Sequence, residues 1–369
     1  MKIQVRKPFF PPKSISNIQQ NIKKILNSGQ LTLGANVLSF ESKFAKFQKS
    51  KFACGVSSAT AGLHLSLLAL DIKKGDQVII PAKTFISTAN AALYCNATPI
   101  FCDVDDTTFQ MDPLKLQKLI NKNTKAIIPV HLGGNVCPMD EILEISNKEN
   151  ISIVEDAAHA HGATYNKQYA GTFGRMGVFS FYPDKVMAST DGGMIVTNDS
   201  KIKEKLELLR NVGRKKLGKH DFSIIGYNYR MNEIQAILGN EQLQLLPSML
   251  KKRRAIAEIY NSELNELKSL KIQMIKPNVN SAYYSFIIRL VKGNLKNLRK
   301  HLAEKNIETS SIFTSIYKTK PYEKIYGKRN GLCPISEILD SQTFTIPLHP
   351  GLQQKDILYI IKNLKKFIK

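Results

Sequence analysis

In this 369-residue chain, the groups best placed to do chemistry are a lysine, an aspartate and a few small hydroxyl residues, each at the end of an apolar run. Cys54-Gly-Val-Ser-Ser-Ala-Thr-Ala-Gly-Leu-His-Leu65 brings Ser58, Ala59 and Thr60 to the start of a helical pattern. Free N–H groups and the positive end of a helix dipole can hold a phosphate there. The stretch reads equally well as an ordinary Ser/Thr helix cap. Asp156 follows Ile151-Ser-Ile-Val-Glu155, where its carboxylate can pair with a cationic ring nitrogen; an aspartate in that place also serves as a helix cap or a metal ligand. Lys185 stands just past Gly177-Val-Phe-Ser-Phe-Tyr182 and before Ser189-Thr-Asp-Gly-Gly193. Its amine can form an imine with an aldehyde and then carry a proton between carbons, the alternative being one more surface charge. Ser180 is placed to reach the same phosphate, and Gly192-Gly193 permits close backbone approach. An imine-forming amine, an acid for a ring nitrogen and a phosphate cradle are the parts that a pyridoxal 5'-phosphate enzyme needs.

These residues need a scaffold that brings strand ends together. Between about residues 56 and 200, six Val- and Ile-rich runs alternate with amphipathic segments: 77–81, 98–102, 125–130, 151–155, 177–182 and 193–197. Helical patterns at 59–70 and 138–147 separate some of them, so the spacing predicts an α/β fold with a mainly parallel central sheet sandwiched by helices. In such sheets ligands sit beyond the carboxyl ends of the strands. Residues 232–266 read as almost continuous helix, interrupted by Pro247. Beyond it come a strand over 282–291, a helix over 294–305, a strand over 343–347 and a helix over 355–368, predicting a smaller α+β C-terminal domain. The division expected is a large cofactor-binding domain, 1–245, with an N-terminal arm, and a small domain, 246–369.

Composition narrows the function. Lys and Arg number 53 against 30 Asp and Glu, a net charge of +23, which raises the question of an anionic partner. The charge is spread: the densest runs, Lys251-Lys252-Arg253-Arg254 and Arg214-Lys215-Lys216, are short and read as solvated faces. No reading helix, zinc pattern or aromatic platform accompanies them, so nucleic acid is not the expected partner. The five cysteines form no C-x-x-C pair and suit reduced thiols in a cytoplasm, and no uncharged run is long enough for a membrane span. His159 and His161 with Asp156 and Glu155 suggest a metal cluster only weakly, since no further spaced ligand set accompanies them. His64, His131 and His349 read as structural residues.

The sequence resembles the DegT/DnrJ/StrS sugar aminotransferases of the fold-type I pyridoxal phosphate enzymes. The resemblance spans nearly the whole chain, through Ser28-Gly-Gln-Leu-Thr-Leu-Gly34, Gly75-Asp-Gln-Val-Ile-Ile-Pro81 with Thr84-Phe85, Pro129-Val-His-Leu-Gly133, Val154-Glu-Asp-Ala-Ala-His-Ala-His-Gly162, Phe179-Ser-Phe-Tyr-Pro-Asp-Lys185, Gly226-Tyr-Asn-Tyr-Arg-Met231 and Ile346-Pro-Leu-His-Pro-Gly351. It implies that Lys185 is the Schiff-base lysine, that Asp156 pairs with the pyridine nitrogen and that Phe85 stacks on the cofactor ring. Ser58, Ala59, Thr60 and Ser180 would hold the phosphate, and His159 would lie next to the phenolic oxygen. Asn228 would reach the phosphate from the neighbouring subunit of a homodimer, and Arg230 is a weaker candidate for the donor's carboxylate, with a structural salt bridge as its rival. Three residues depart from the family pattern: Ala59 for Gly, His159 for Gln and Asp191 for Glu.

The activity implied is transfer of the amino group of L-glutamate to the ketone of a nucleotide-diphosphate-linked keto-deoxysugar, in amino-sugar and surface polysaccharide biosynthesis. A dehydratase of the same family carries His in place of the lysine, against which Lys185 argues. A cyclitol or other keto-ring aminotransferase would carry the same motifs. A non-catalytic regulatory or nucleic-acid-binding protein on this fold is disfavoured by the joint presence of Lys185, Asp156 and Ser180. Pocket shape is expected from the loops 211–221 and 310–326.

Overall fold

The computed structural model describes residues 2–215 and 220–368. Lys216 of the second basic run, with the centre of the 211–221 loop, lies outside the described residues. Seven strands form the main sheet: β1 (Phe52–Val56), β2 (Gln77–Pro81), β3 (Thr98–Cys102), β4 (Thr124–Ile127), β5 (Ser152–Asp156) and, after the short hairpin β6 (Thr164–Tyr165) and β7 (Gln168–Tyr169), β8 (Met176–Ser180) and β9 (Gly193–Thr197). Their order is β1-β9-β8-β5-β4-β2-β3. Pairing from β8 through β3 is parallel, whereas β9 runs antiparallel to both of its neighbours, β8 and β1.

The sheet is sandwiched, as its apolar runs require. Along each strand alternate residues enter different cores. Ile79, Ile127, Ile153, Phe179 and Val196 pack on one face with Val37, Phe40 and Phe44 of the helix Ala35–Gln48 and Leu243, Leu246 and Met249 of a long helix, Glu233–Leu264. Val78, Ile80, Val154, Val178 and Ile195 pack on the other, against Leu63, Leu65 and Leu67 of the helix Ala59–Ala69 and Ile202, Leu206 and Leu209 of the helix Ser200–Arg210. Five of the six predicted strands match within two residues at each end; the fourth, read as 125–130, stops at Ile127, three short of its predicted end. The strand β1 is an addition. Its Ala, Cys and Gly give no β-branched alternation, and pairing with β9 makes it a strand.

Beyond the main sheet come β10 (Leu270–Ile272), β11 (Val279–Asn280), β12 (Phe286–Leu290) and β13 (Thr343–Ile346). A three-stranded antiparallel sheet, β10-β12-β13, carries the helices Leu295–Glu304 and Gln354–Ile368 around a separate core. The helix Glu233–Leu264 opens on a capping box between Asn232 and Gln235 and runs through Pro247 unbroken. It contributes Leu250 to the large core and Ile256, Ala257 and Tyr260 to the small one, so the expected boundary at 245/246 falls inside it. The hand-over coincides with the basic run. Lys251 and Lys252 are exposed as expected, but Arg253 is buried and donates to the carbonyls of Tyr283 (3.2 Å) and Leu348 (2.9 Å). Arg254 donates to the Ser281 carbonyl (2.9 Å), so half of this run is a structural tie and not a solvated face.

All five cysteines are free and buried. Among the described residues no helix is long and apolar enough to cross a membrane.

Candidate active site

The carboxyl ends of β1, β2, β5 and β8 open on a cavity of about 440 Å³, which is also lined by the N-terminal arm, by the segment just before β12 and by the segment that follows the helix Leu295–Glu304. Lys185, Asp156, Ser58, Ala59, Thr60, Phe85, His159 and Ser180 all line it. Eight residues read from sequence are thus brought together by the sheet edge.

Each is set by local backbone. Ser58 caps the helix Ala59–Ala69, its Oγ accepting from the Ala61 N–H (3.1 Å), so the first N–H groups of that helix face outward without intrahelical partners. The capping and cradle readings hold together. Thr60 Oγ1 donates to Ser87 Oγ (2.8 Å). Gly193 is obligatory here: a Cβ on it would sit 2.6 Å from the Ala59 nitrogen, so β9 passes too close to the cradle for any side chain. Phe85 is 55% exposed, a large apolar surface left facing a cavity.

Asp156 ends β5 and is buried; Thr88 Oγ1 donates to its Oδ2 (2.8 Å) and the Ala158 N–H to its Oδ1 (3.2 Å). Burial nevertheless raises its carboxyl above the ordinary range, because those two neutral donors only partly offset the lost hydration. A cation lodged in the cavity would favour its charged form. Glu155, pointing to the other side of the strand, is fully engaged: it accepts from Gly171 (2.6 Å), Phe173 (2.7 Å) and Gly174 (2.8 Å) N–H groups and pairs with His131 Nε2 (3.0 Å). His131 Nδ1 accepts from the Cys137 N–H (3.2 Å), which makes this histidine structural. His161 packs between Phe179 and Phe181, at 5.4 and 5.7 Å.

The Lys185 amine is 3.1 Å from His159 Nε2 and 3.6 Å from Asp184 Oδ1, and lies 4.8 Å from the centre of the Tyr284 ring. Burial lowers its pKa, opposed by Asp184 and assisted by Arg6. The His159 ring stacks on Tyr284 at 3.9 Å, and its Nδ1 accepts from the Gly133 N–H (3.4 Å), which assigns the ring proton to Nε2. Burial, with Lys185 and Arg6 nearby, keeps this ring neutral. The neutral imidazole thus borders the Lys185 amine, and the burial that lowers the lysine's pKa brings its nucleophilic, unprotonated form within easier reach.

Two residues named from sequence lie elsewhere. Arg230 does not line the cavity; it hydrogen-bonds Asn211 Oδ1 (3.2 Å). Asn228 is exposed on the neighbouring segment, also outside the cavity. Ser310, Ser311, Ile312 and Phe313 bear out the expectation for the second loop, whereas no described residue of 211–221 lines the cavity.

Sequence reading missed four residues of this site. Arg6 comes from the N-terminal arm, Asp184 directly precedes Lys185, and Tyr284 lay inside a run read only as a strand. Lys83 stands behind the wall, its side chain fully buried, donating to Asp340 (2.8 Å) and to the Phe313 carbonyl (2.6 Å). The signal available was a lysine two residues before Phe85 in an otherwise apolar strand end.

The residues fit pyridoxal 5'-phosphate. A helix N-terminus with hydroxyls suits a phosphate dianion, a buried carboxylate with only two neutral donors suits a ring cation, and a lysine whose pKa burial lowers suits an aldehyde.

Known proteins resemble this chain over nearly its whole length. The model of the DegT/DnrJ/EryC1/StrS aminotransferase family matches residues 12–365. GDP-perosamine synthase of Escherichia coli O157:H7 is 34% identical over 98% of both chains. The dTDP-3-amino-3,6-dideoxy-alpha-D-galactopyranose transaminase of Aneurinibacillus thermoaerophilus is also 34% identical, over 98% of this chain and 99% of its own. The structure of Spr1654 from Streptococcus pneumoniae in its PLP form superposes with a TM-score of 0.94 at 26% identity, covering 100% of this chain and 99% of that one. With a family match across nearly its whole length and a cavity that fits the cofactor, the chain belongs to the DegT/DnrJ/EryC1/StrS family and is a fold-type I, pyridoxal phosphate-dependent aminotransferase.

Proposed function

We propose that the protein moves the amino group of L-glutamate to the keto group of a deoxysugar carried on a nucleoside diphosphate, in amino-sugar and surface polysaccharide biosynthesis. The observation that carries the reading is one cavity walled by a lysine whose pKa burial lowers, a buried aspartate and a hydroxyl-rich helix N-terminus. Relatives that act on GDP- and dTDP-linked sugars stand at the same identity, which supports the nucleotide-sugar class and leaves the base open. Bound pyridoxal phosphate supplies an aldehyde and an electron-withdrawing ring that lets a Cα–H bond break.

The chain's own residues do the rest. Lys185 holds the cofactor, yields its place to the donor's amine and then moves the proton from the donor carbon. Asp156 keeps the ring nitrogen protonated. Ser58, Ala59, Thr60 and Ser180 anchor the phosphate, Phe85 covers the ring, and His159 borders the phenolic oxygen. We assign Asn228 to the phosphate of a second copy in a homodimer, which its exposed position outside its own cavity supports. Five free thiols suit work in the reducing cytoplasm.

The test is to reconstitute the protein with cofactor and glutamate, offer a panel of GDP-, dTDP- and UDP-linked keto sugars, and weigh the products by mass spectrometry. An aminated sugar nucleotide supports the reading. Amination of keto-cyclitols alone would replace it.

A further inference from the structure

A transaminase must hold an anionic amino donor. Besides Lys185, the only cation among the described residues that line the cavity is Arg6, 16% of whose side chain is exposed. We propose that Arg6, on the N-terminal arm, receives the α-carboxylate of the amino donor; this rests on the aminotransferase reading above.

The placement is specific. Arg6 Nη1 reaches Asp184 Oδ2 (3.4 Å), while Lys185 Nζ lies 3.6 Å from Oδ1 of the same carboxylate. Both cations also sit over one ring: the Arg6 guanidinium carbon is 4.5 Å from the Tyr284 centroid and the Lys185 amine 4.8 Å. One carboxylate thus spans guanidinium and amine. An α-amino acid carries the same pairing, with its amine taking the place of Lys185 and its carboxylate, one carbon away, coming to the guanidinium.

Arg6 has donors to spare. Nη2 donates to Ser285 Oγ (2.9 Å), the Asp184 contact is long, and Nε is buried with no partner. A buried guanidinium N–H without an acceptor is costly and suits an anion that arrives later. The arm itself is fixed: Val5 N–H donates to Glu308 Oε2 (2.9 Å) and the Val5 carbonyl accepts from the Leu348 N–H (3.2 Å). Arg230, the carboxylate candidate from the resemblance, is turned instead to Asn211.

The test compares wild-type holoenzyme with Arg6→Met and Arg6→Lys. The dissociation constant of 2-methylglutamate, which has the α-carboxylate but no Cα proton to lose, is read from the cofactor absorbance. The rates of the glutamate half-reaction and of the keto-sugar half-reaction are measured separately. Expected is a loss of affinity of about 30-fold in Arg6→Met and less in Arg6→Lys, which keeps the charge without the planar fork, the sugar half-reaction changing less than about twofold. An unchanged dissociation constant, or equal losses in both half-reactions, overturns the proposal. A wild-type holoenzyme that responds to no α-amino acid overturns the aminotransferase reading as well.

Discussion

On one wall of the cavity, Ser58, Asp156 and Ser180 stand at the ends of strands whose positions are locked by sheet pairing. On the other, Arg6, Tyr284 and Phe313 arrive from three distant segments and are held by individual side-chain bonds to Asp184, Ser285 and Lys83. A cofactor needs fixed geometry, and a register shared by several strands supplies it without depending on any one contact. A substrate wall held by a few bonds can change preference while the fold stays intact.

Breaking the first wall should have the largest effects. Lys185→Ala should lower transamination by about four orders of magnitude and abolish covalent capture of the cofactor by borohydride, leaving the melting temperature of the apoprotein unchanged. Mass spectrometry of the reduced protein checks this, and a labelled variant would remove Lys185 from its role. Asp156→Ala should cut turnover by about 10²- to 10³-fold and weaken cofactor retention, because no other described group lies ready to hold the ring proton. Near-normal turnover would show that another group serves the nitrogen.

The second wall should respond through stability and substrate affinity. Lys83→Met leaves Asp340 without its cation behind the Phe313 segment, and a loss of about 3 kcal/mol is expected in urea melts. KM for the keto sugar should rise while the glutamate half-reaction keeps its rate. The double variant Lys83→Met/Asp340→Leu should recover part of the stability; a full loss in the double variant would mean that packing, and not charge, secures the wall.

The smallest expected effect belongs to His161, beneath the first wall. Burial, with Lys185 and Arg253 nearby, lowers its pKa from 6.5 to about 3. Below pH 6.5 the unfolded chain takes up a proton that the folded chain refuses, so this residue costs stability progressively from pH 6.5 down to about 3 and nothing above. His161→Phe should therefore gain about 2 kcal/mol on the wild type between pH 7 and pH 5, read from paired melts. Parallel pH profiles for the two proteins would refute it.

What could be read in the sequence follows the same division. Lys185, Asp156 and Ser180 were legible because a parallel sheet delivers strand ends to one edge, and the apolar runs mark those ends within a residue or two. Arg6 and Tyr284 were not, because nothing local to a proline-rich arm or to Ala282-Tyr-Tyr-Ser says what it will lie against. Arg253 misled for the opposite reason: four consecutive basic residues look solvated, yet a helix turns each by about 100°, so at least one of four adjacent side chains must face inward. β1 escaped notice because its partner, β9, lies some 140 residues away.

The helix Glu233–Leu264 serves both hydrophobic interiors. A molecule whose two cores share one continuous rod cannot lose either alone without stripping the other, so calorimetry should record a single transition. The rod also reaches the cavity wall. Arg253 ties it to the Tyr283 carbonyl, next to Tyr284, which lines the cavity. One girder thereby braces both interiors and, through the Arg253 guanidinium, the stretch of chain that carries an aromatic ring to the coenzyme's doorstep.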